Sequence, residues 1–404
     1  MNRANQAIIA VNSFSVGIML PVMNLALLER GASLQTLPLL LAAYSATALC
    51  LELPSGICAD LYGRREVFLL SCVFQFIAYS VMLAADNMVW LVFAMAFHGM
   101  GRAFSSGSLD ALFIDQAIIQ SGEGCLAKVT SRMALLDGIG LAVGGIAGGV
   151  LAGMADGYLA NISLRMALSA ALFIMAVSFV KEQPVPGEKK HTALNGLIRQ
   201  GKQIIFSTPG FRLLFAGVFF TGVFLSAVET YWQPAFMELP SAKSSLWLLG
   251  VITFMGFMAV AAGNIIAQKL LDRYSRSWWN VYNLFRLLVG ASIVIFALQG
   301  SAAGFVAWYA LVYLLLGAGN VAESTLINRL TPGSMRASVL SLSSLTLQIG
   351  ALCASVFSSI VIMRLKFSGI WITSGVLLGG YALIVAAVTN KIKVKKIDEI
   401  DFDG

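Results

Sequence analysis

Seven charged residues lie inside long apolar stretches of this sequence: Glu52, Arg102, Asp110, Asp137, Glu229, Arg286 and Glu323. On insertion scales, a charged side chain at the centre of a bilayer costs roughly 2.5–3.5 kcal/mol, so such a residue is usually paired, bound to a ligand or involved in proton transfer. A carboxylate in this setting could take up a proton on one side of a membrane and release it on the other. An arginine could hold an anionic group. These residue types therefore predict ligand binding and proton exchange.

Two carboxylates in the second half of the chain carry the main predictions. Glu323 lies near the centre of the apolar run 303–328, where it could carry a proton or bind a cationic ligand; the alternative is a neutral acid hydrogen-bonded to Asn320 or to a neighbouring helix. Glu229 is close to Trp232, and a carboxylate beside an aromatic ring suits an organic cation. The alternative for Glu229 and Trp232 is a place in the aromatic belt at the membrane interface.

Arg102 is the central cation of the first half. It is predicted either to act on a ligand or proton, as an anchor for an anionic group, or to form a structural ion pair with Asp137. The same half contributes three further polar residues to the predicted substrate and proton pathway: Asn12, Ser106 and Asp110. Glu52 and Arg286 are predicted to extend their charged ends to the inner membrane interface.

These polar residues are held by a chain that is too apolar for a water-soluble protein. Hydrophobic residues make up 58% of its 404 residues and charged residues 12%, and the mean hydropathy is +0.82. Runs long enough to span a bilayer as helices occur at 7–28, 36–58, 66–86, 89–113, 131–153, 160–180, 211–236, 246–270, 279–299, 303–328, 338–363 and 368–390. We therefore predict an all-α integral membrane protein with 12 transmembrane helices. The third, sixth and ninth runs are nearly pure hydrocarbon and are predicted to face lipid.

Basic residues are distributed unevenly among the segments that connect these runs. Of the 27 Lys and Arg residues, 20 lie on the side of the N-terminus and 5 on the opposite side. The positive-inside rule then places both termini in the cytoplasm, and the predicted location is the cell (plasma or inner) membrane. The net charge of +7 reflects this topology and does not indicate nucleic-acid binding, because no basic–aromatic module accompanies it.

The sequence gives no indication of a cofactor, a metal site or a catalytic residue. Its five cysteines contain no CxxC pair, its two histidines are isolated, and no GxxxxGK[ST] nucleotide-binding pattern occurs. An integral membrane enzyme is therefore disfavoured.

The chain repeats itself at a distance of about 212 to 218 residues. Asp60, Tyr62 and Arg64 recur as Asp272, Tyr274 and Arg276, and Gly99 and Gly101 recur as Gly317 and Gly319. Such a duplication is typical of secondary transporters. The predicted domains are an N-terminal six-helix bundle (1–180), a cytoplasmic linker with an amphipathic helix (181–209), a C-terminal six-helix bundle (210–390) and a cytoplasmic tail (391–404).

Glycines are concentrated in the run 131–153, which contains Gly138, Gly140, Gly144, Gly145, Gly148, Gly149 and, at its end, Gly153. Small residues at such spacing allow a neighbouring helix backbone to come close in a membrane. We therefore predict a tight helix contact along this run, at which the helices could also slide.

The segment from Gly56 to Arg65 resembles the signature loop of the major facilitator superfamily, Gly-x-x-x-Asp-x-x-Gly-Arg-Arg/Lys, at every fixed position. The resemblance implies two pseudo-symmetric six-helix bundles and a transporter similar to drug:proton antiporters. It also implies a conformational latch, whose residues are Gly56, Asp60, Gly63, Arg64, Arg65 and Asp115. Gly56 is predicted to allow close helix packing and Gly63 to allow a tight turn.

Together, the residues and the resemblance predict a secondary active transporter that moves a small amphipathic or cationic solute by alternating access, with proton-coupled export. The alternatives are proton-coupled uptake of a sugar or organic acid, a lipid flippase, and a non-transporting membrane receptor. The predicted partners are the small-molecule substrate, protons and the lipid bilayer, with no nucleic acid, and the protein is predicted to be a monomer. The direction of transport rests on the resemblance alone.

Overall fold

The structure is a computed structural model that describes residues 3–106, 108–122, 126–154, 157–180, 209–240, 246–273, 278–331 and 336–391. These residues are almost entirely helical, and no β-strand occurs among them. Apart from Pro209 and Lys391, the predicted linker 181–209 and tail 391–404 lie outside the described residues.

The first half of the described chain forms helices α1 (Arg3–Met19), α2 (Met23–Glu29), α3 (Leu37–Tyr62), α4 (Arg64–Ala84), α5 (Met88–Ser105), α6 (Ser108–Ser121), α7 (Leu126–Met154) and α8 (Leu159–Phe179). Helices α1 and α2 are bent by 50° relative to each other and together correspond to the predicted run 7–28. Helix α3 has a proline in its first turn, where the missing N–H donor has no intrahelical partner to lose. The side chain of Asn87 caps α5 by accepting from the Val89 and Trp90 amides.

The second half forms α9 (Pro209–Met237), α10 (Trp247–Arg273), α11 (Trp278–Phe296), α12 (Ala302–Leu330) and α13 (Arg336–Lys391). Helix α13 is continuous over 56 residues except at Lys366, whose φ of 52° and ψ of −175° are not helical. It is therefore two helices joined at a kink, and they correspond to the predicted runs 338–363 and 368–390.

The predicted count of twelve spans is not confirmed by length and apolarity alone. In the described part of the chain, eight helices meet both criteria, or nine if α1 and α2 count as one bent span. Helix α13 counts once despite its kink, and α3 contributes Leu37–Glu52, which is apolar but shorter than a full span. The predicted run 89–113 breaks into α5 and α6 after Ser105, because Ser106 is extended. The sequence at this break, Ser-Ser-Gly-Ser, has residue types that weaken helices.

The helices group into two compact units. The first comprises α1 to α8 and the beginning of α10 up to Phe254; the second comprises α9, the rest of α10 from Met255, and α11 to α13. One core of the first unit is filled by Phe68 of α4, Phe113 of α6 and Leu172 of α8.

Within the first unit, α1 and α7 pack with their backbones in contact. A Cβ at Gly144 would lie 3.0 Å from the Gly17 Cα, and one at Gly140 would lie 2.9 Å from the Ala10 carbonyl oxygen. The predicted close contact along this glycine run is therefore confirmed at these two positions. Gly138, by contrast, has nothing within 4 Å of its Cβ position among the described residues.

We expect Gly144→Ala to destabilise the protein by about 1–3 kcal/mol, the usual effect of overpacking. The added methyl group would overlap the Phe14 carbonyl group of α1. Thermal unfolding of the purified protein in detergent measures the effect, and Gly138→Ala is the matched control because its methyl group has open space. Equal melting temperatures for the two variants would contradict the close contact.

Helices α4, α8 and α11 bury polar side chains, which corrects the prediction that their runs are nearly pure hydrocarbon. Gln75 is 8% exposed, Arg165 is 3% exposed and Arg286 is 0% exposed. The Arg165 guanidinium donates to the Ser15 hydroxyl and lies 5.4 Å from the centre of the Tyr79 ring. Arg165 is one of the five basic residues that the charge count places on the side opposite the N-terminus, but the structure buries it within α8. A hydroxyl and an aromatic face compensate its removal from water.

Candidate functional site

Glu323 of α12 forms a buried ion pair with Arg286 of α11. The distance from Arg286 Nη2 to Glu323 Oε2 is 2.9 Å, and the two side chains are 0% and 9% exposed. The same Nη2 donates to Asn320 Oδ1 at 3.0 Å. These contacts correct the prediction that Arg286 extends to the inner interface, because the guanidinium finds its counter-charge on the neighbouring helix. For the alternative interpretation of Glu323, only the bond to Asn320 is corrected, because the Asn320 amide oxygen accepts from the arginine. A hydrogen bond from a neighbouring helix is present, since the Tyr282 hydroxyl of α11 donates to Glu323.

The ion pair leaves part of the guanidinium unused. Within the described part of the chain, Arg286 Nε and Nη1 are buried and have no hydrogen-bond partner. A buried ion pair with unsatisfied donors adds little to stability, because the loss of hydration offsets the attraction. Its presence in an apolar helix therefore points to a functional role.

Two tyrosine hydroxyls continue the network from Glu323 to helix α9. The Tyr282 hydroxyl lies 3.2 Å from Glu323 Oε2 and 2.8 Å from the Tyr381 hydroxyl. The Tyr381 hydroxyl donates to the Leu213 carbonyl oxygen at 2.7 Å. The sequence analysis missed both tyrosines because it considered mainly charged residues in the apolar runs. The available signal was a tyrosine hydroxyl within each of two predicted membrane-spanning runs.

A cavity of about 770 Å³ opens beside this network. Its polar lining comes from α10 and α12 and consists of Asn264, Asn320, Ser324, Thr325, Asn328 and Arg329. The lining also includes Trp278, whose ring centre lies 4.3 Å from the Arg329 guanidinium carbon. The volume suits a small molecule. Because Asn320 lines the cavity and also accepts from Arg286, a solute in the cavity could change the hydrogen bonding of the ion pair.

Glu229 of α9 lies beside aromatic rings of α9 and α12. Its carboxylate accepts a hydrogen bond from the Tyr313 hydroxyl. The Tyr313 and Tyr309 ring centres are 4.5 Å apart, and the Tyr309 and Trp232 ring centres are 5.2 Å apart. Glu229 is exposed, whereas Trp232 is 2% exposed, which disfavours an interfacial belt for the tryptophan. An open carboxylate next to aromatic rings has the chemistry of a site for an organic cation.

The sequence analysis did not single out Tyr309 and Tyr313. Their separation of four residues places them on one face of α12, which is the signal that could have identified them.

The predicted polar residues of the first unit are only partly brought together. Asp137 accepts a hydrogen bond from the Ser13 hydroxyl at 2.5 Å. The described residues include no ion pair between Asp137 and Arg102, which corrects that prediction: Asp137 bonds to α1 instead. Asp110 lies close enough to both Asp137 and Arg102 to interact electrostatically. The other two residues of the predicted pathway in this unit are Asn12, which is half-buried in α1, and Ser106, which follows the end of α5.

The loop between α3 and α4 contains a tight turn and an ion pair. Gly63 has φ of 104° and ψ of 148°, a conformation that only glycine adopts without strain. Arg64 Nη1 lies 2.5 Å from Asp115 Oδ2 of α6. Arg65 donates to the Val177 carbonyl oxygen at 3.0 Å, in the last turn of α8, where carbonyl groups lack intrahelical partners. The start of α4 is therefore connected to both α6 and α8.

Two further residues belong to the predicted latch, Gly56 and Asp60. No described atom lies within 4 Å of the position that a Cβ of Gly56 would occupy, which corrects the prediction that Gly56 allows close packing. Asp60 is part of α3, but its side chain lies outside what the structure describes.

Long apolar helices with ionisable residues inside them define a multi-pass membrane protein, and solved structures share its fold. The nucleoside transporter NupG has a TM-score of 0.78 at 14% sequence identity, over 97% of this chain and 99% of its own. An auto-inhibited POT family peptide transporter has a TM-score of 0.73 at 14% identity, over 96% of each chain. At this identity, the similarity concerns the fold alone.

The family model of the Major Facilitator Superfamily matches residues 7–322, so the chain belongs to this superfamily. This confirms the predicted family and the all-α membrane fold. The "Uncharacterized MFS-type transporter YxaM" of Bacillus subtilis (strain 168) is 26% identical over 246 residues, which span 59% of each chain. The tetracycline resistance protein, class D, of Salmonella ordonez is 24% identical over 324 residues, 72% of this chain and 77% of that protein. YxaM and the two structural neighbours are named as transporters. The chain is therefore a membrane transporter of this superfamily.

Proposed function

We propose that this protein exports a small amphipathic or cationic solute by alternating access, driven by the inward flow of protons. The observation that carries the proposal is the position of the exposed Glu229 carboxylate beside the rings of Tyr313, Tyr309 and Trp232. The carboxylate would attract the charge of the solute. The rings would bind both its charge and its apolar surface.

Glu323 is the proposed proton acceptor. In its ionised form it holds Arg286, and protonation would remove the negative charge from this buried pair. The guanidinium would then be free to make stronger bonds to Asn320 and to groups in the cavity that Asn320 lines. A proton at Glu323 could in this way alter the polarity of a solute-sized space.

The direction of transport is supported by one relative, and the orientation of the chain by its charge distribution. The relative is a tetracycline resistance protein, and drug resistance is consistent with outward transport. The excess of basic residues on the side of the N-terminus supports cytoplasmic termini in the cell membrane. In the first unit, Arg102, Asp110 and Asn12 are proposed to complete the pathway, and the transporter is proposed to act as a monomer.

Proton flux in liposomes that contain the purified protein tests this function. A pH gradient is imposed, and a hydrophobic cation such as tetraphenylphosphonium is added while the internal pH is followed with a fluorescent dye. We expect the cation to trigger proton movement in liposomes with the protein but not in protein-free liposomes. No response to any hydrophobic cation, together with cotransport of a sugar or organic acid, would contradict the proposal.

A second candidate function is proton-coupled uptake of a polar solute. The observation that favours it is the lining of the cavity, which offers the amides of Asn264, Asn320 and Asn328 and the hydroxyl of Ser324. Amides and hydroxyls are the groups that bind an uncharged sugar, and Arg329 could hold an organic acid. The same liposomes distinguish the two functions, because uptake would move solute and proton in the same direction.

The Arg64–Asp115 ion pair is proposed to latch one conformation together with Gly63, Arg65 and Asp60. We expect Asp115→Asn to reduce transport several-fold while expression stays normal, because a partly exposed pair contributes only about 0.2–1 kcal/mol to stability. Asp60→Asn is expected to behave in the same way. Transport rates normalised to the amount of folded protein measure both effects.

Reversal of the charges is the control for the latch. Arg64→Glu combined with Asp115→Arg should restore part of the transport that either single substitution removes. Full transport by Asp115→Asn would show that the ion pair does not control the conformation.

A further inference from the structure

Three hydrogen-bond links connect the Glu323 carboxylate to the backbone of α9. They join Glu323 Oε2 to the Tyr282 hydroxyl at 3.2 Å, this hydroxyl to that of Tyr381 at 2.8 Å, and Tyr381 to the Leu213 carbonyl oxygen at 2.7 Å. Counted over whole residues, Glu323, Tyr282 and Tyr381 are 7%, 0% and 5% exposed. The chain of links is therefore enclosed by protein and joins α12, α11, α13 and α9.

The number of hydrogen atoms available for these links depends on the protonation of Glu323. Each tyrosine hydroxyl carries one hydrogen, a carbonyl carries none, and an ionised carboxylate carries none. In the ionised state, two hydrogens must therefore serve three links. Bonds to a carboxylate are the strongest, so Tyr282 donates to Glu323, Tyr381 donates to Leu213, and the contact between the two hydroxyls has no hydrogen.

Protonation of Glu323 supplies the missing hydrogen. The carboxyl group then donates to Tyr282, Tyr282 donates to Tyr381, and Tyr381 donates to the Leu213 carbonyl, so that all three links are formed. The proton comes from water and forms one O–H bond on the carboxyl group. The two phenol groups only rotate their O–H bonds, and Arg286 loses its charged partner.

We propose that Tyr282 and Tyr381 are positioning residues that transmit the protonation state of Glu323 to α9, the helix that carries Glu229. This inference rests on the proposed function of Glu323 as the proton acceptor. It adds a physical connection between the Glu323 carboxylate on α12 and α9, the helix of the Glu229 carboxylate. A completed chain would hold the first part of α9 against α11 and α13 when the proton is bound.

The packing of α9 fits this role. A Cβ at Gly217 would overlap the Tyr282 hydroxyl and would lie 2.5 Å from the Tyr381 hydroxyl. Glycine therefore leaves the space in which the two hydroxyls meet, one helical turn after Leu213. The charged and titratable groups that face Glu323 are Arg286 and Tyr282 from α11 and Tyr381 from α13. On α9 the facing groups are a carbonyl and a glycine, neither of which titrates.

Infrared titration of the full chain in lipid bilayers tests the inference without knowledge of the solute. The carboxylic C=O band of Glu323 is assigned as the pH-dependent band that Glu323→Gln removes. The substitution identifies the band because glutamine has no carboxyl group that titrates. Among the described residues of this hydrogen-bond chain, Glu323 supplies the only carboxyl group. The midpoint of the titration of this band is then compared between the wild type and two conservative variants.

The two tyrosine variants are expected to shift this midpoint in opposite directions. Tyr282→Phe removes the hydrogen bond to the ionised carboxylate, so the midpoint should rise. Tyr381→Phe leaves that bond in place but removes the acceptor that completes the chain in the protonated state, so the midpoint should fall. Each shift should be roughly half to one pH unit, the equivalent of about one hydrogen bond.

Gly217→Ala tests the chain while both hydroxyls are retained. Its methyl group would force the two hydroxyls apart, and the midpoint should fall as in Tyr381→Phe. Gly380→Ala is the matched control, because no described atom lies within 4 Å of its Cβ position.

The outcomes of the titration separate the inference from the proposed function. Midpoint shifts in the same direction for the two tyrosine variants, or no shift in either, would overturn the chain and leave Glu323 as the proton acceptor. The absence of any titrating band that Glu323→Gln removes would overturn both.

Discussion

Glu323→Gln should abolish accumulation driven by a pH gradient while exchange of solute across the membrane continues. Glutamine has nearly the same shape as glutamate and can still donate to Tyr282, but it cannot take up or release a proton. Transport in liposomes is measured in two modes for this purpose: uphill movement driven by a pH gradient, and exchange of labelled for unlabelled solute without a gradient. We expect a loss of at least tenfold in the first mode and a change of less than about threefold in the second.

Stability is the confounding factor in this experiment. The substitution leaves the buried Arg286 without a counter-charge, and breaking a buried ion pair costs about 3–5 kcal/mol. The double variant Glu323→Gln with Arg286→Met removes both charges and should recover most of this stability without recovering pH-driven transport. Full pH-driven accumulation in Glu323→Gln would contradict the role of Glu323. Loss of both modes in a folded variant would indicate a role in solute binding.

Much of the fold could be predicted from the sequence because the bilayer imposes simple requirements. A spanning helix must satisfy its own backbone and present an apolar surface over its whole length, so the helices appear as long apolar runs. The motif from Gly56 to Arg65 indicated the family. Gly63 has the positive φ that the tight turn predicted at this position requires. The break between α5 and α6 was missed because hydropathy does not register a local loss of helical backbone.

The candidate site could be predicted only in part, because hydropathy identifies costly residues but not the directions in which they point. Glu323 and Glu229 were identified because a charge in an apolar run is expensive. Tyr282 and Tyr381 were missed because a tyrosine is inserted at little cost. Arg286 was misassigned because its position near the start of a run fits snorkelling, whereas its actual contact depends on how α11 packs against α12.

Glu229→Gln should weaken binding of a hydrophobic cation by about 10- to 100-fold, because the carboxylate supplies the charge attraction that the aromatic rings alone cannot. Binding of tetraphenylphosphonium to the purified protein, measured by calorimetry, gives the effect directly. Triphenylphosphine oxide, which has similar rings but no net charge, serves as the uncharged comparison ligand. Its binding should be nearly unchanged by the substitution.

Tyr313→Phe tests the contribution of the hydroxyl that bonds to Glu229 separately from the contributions of the carboxylate and of the aromatic rings. The variant keeps the ring that stacks on Tyr309 and removes only the hydroxyl that donates to Glu229. Cation binding should therefore fall much less than in Glu229→Gln, because both the negative charge and the ring faces remain. Equal losses for the charged and the uncharged ligand in Glu229→Gln would instead mean that the carboxylate supports the local structure. The aromatic group would then bind solutes by their apolar surface alone, and the choice of a cation as substrate would lose its physical basis.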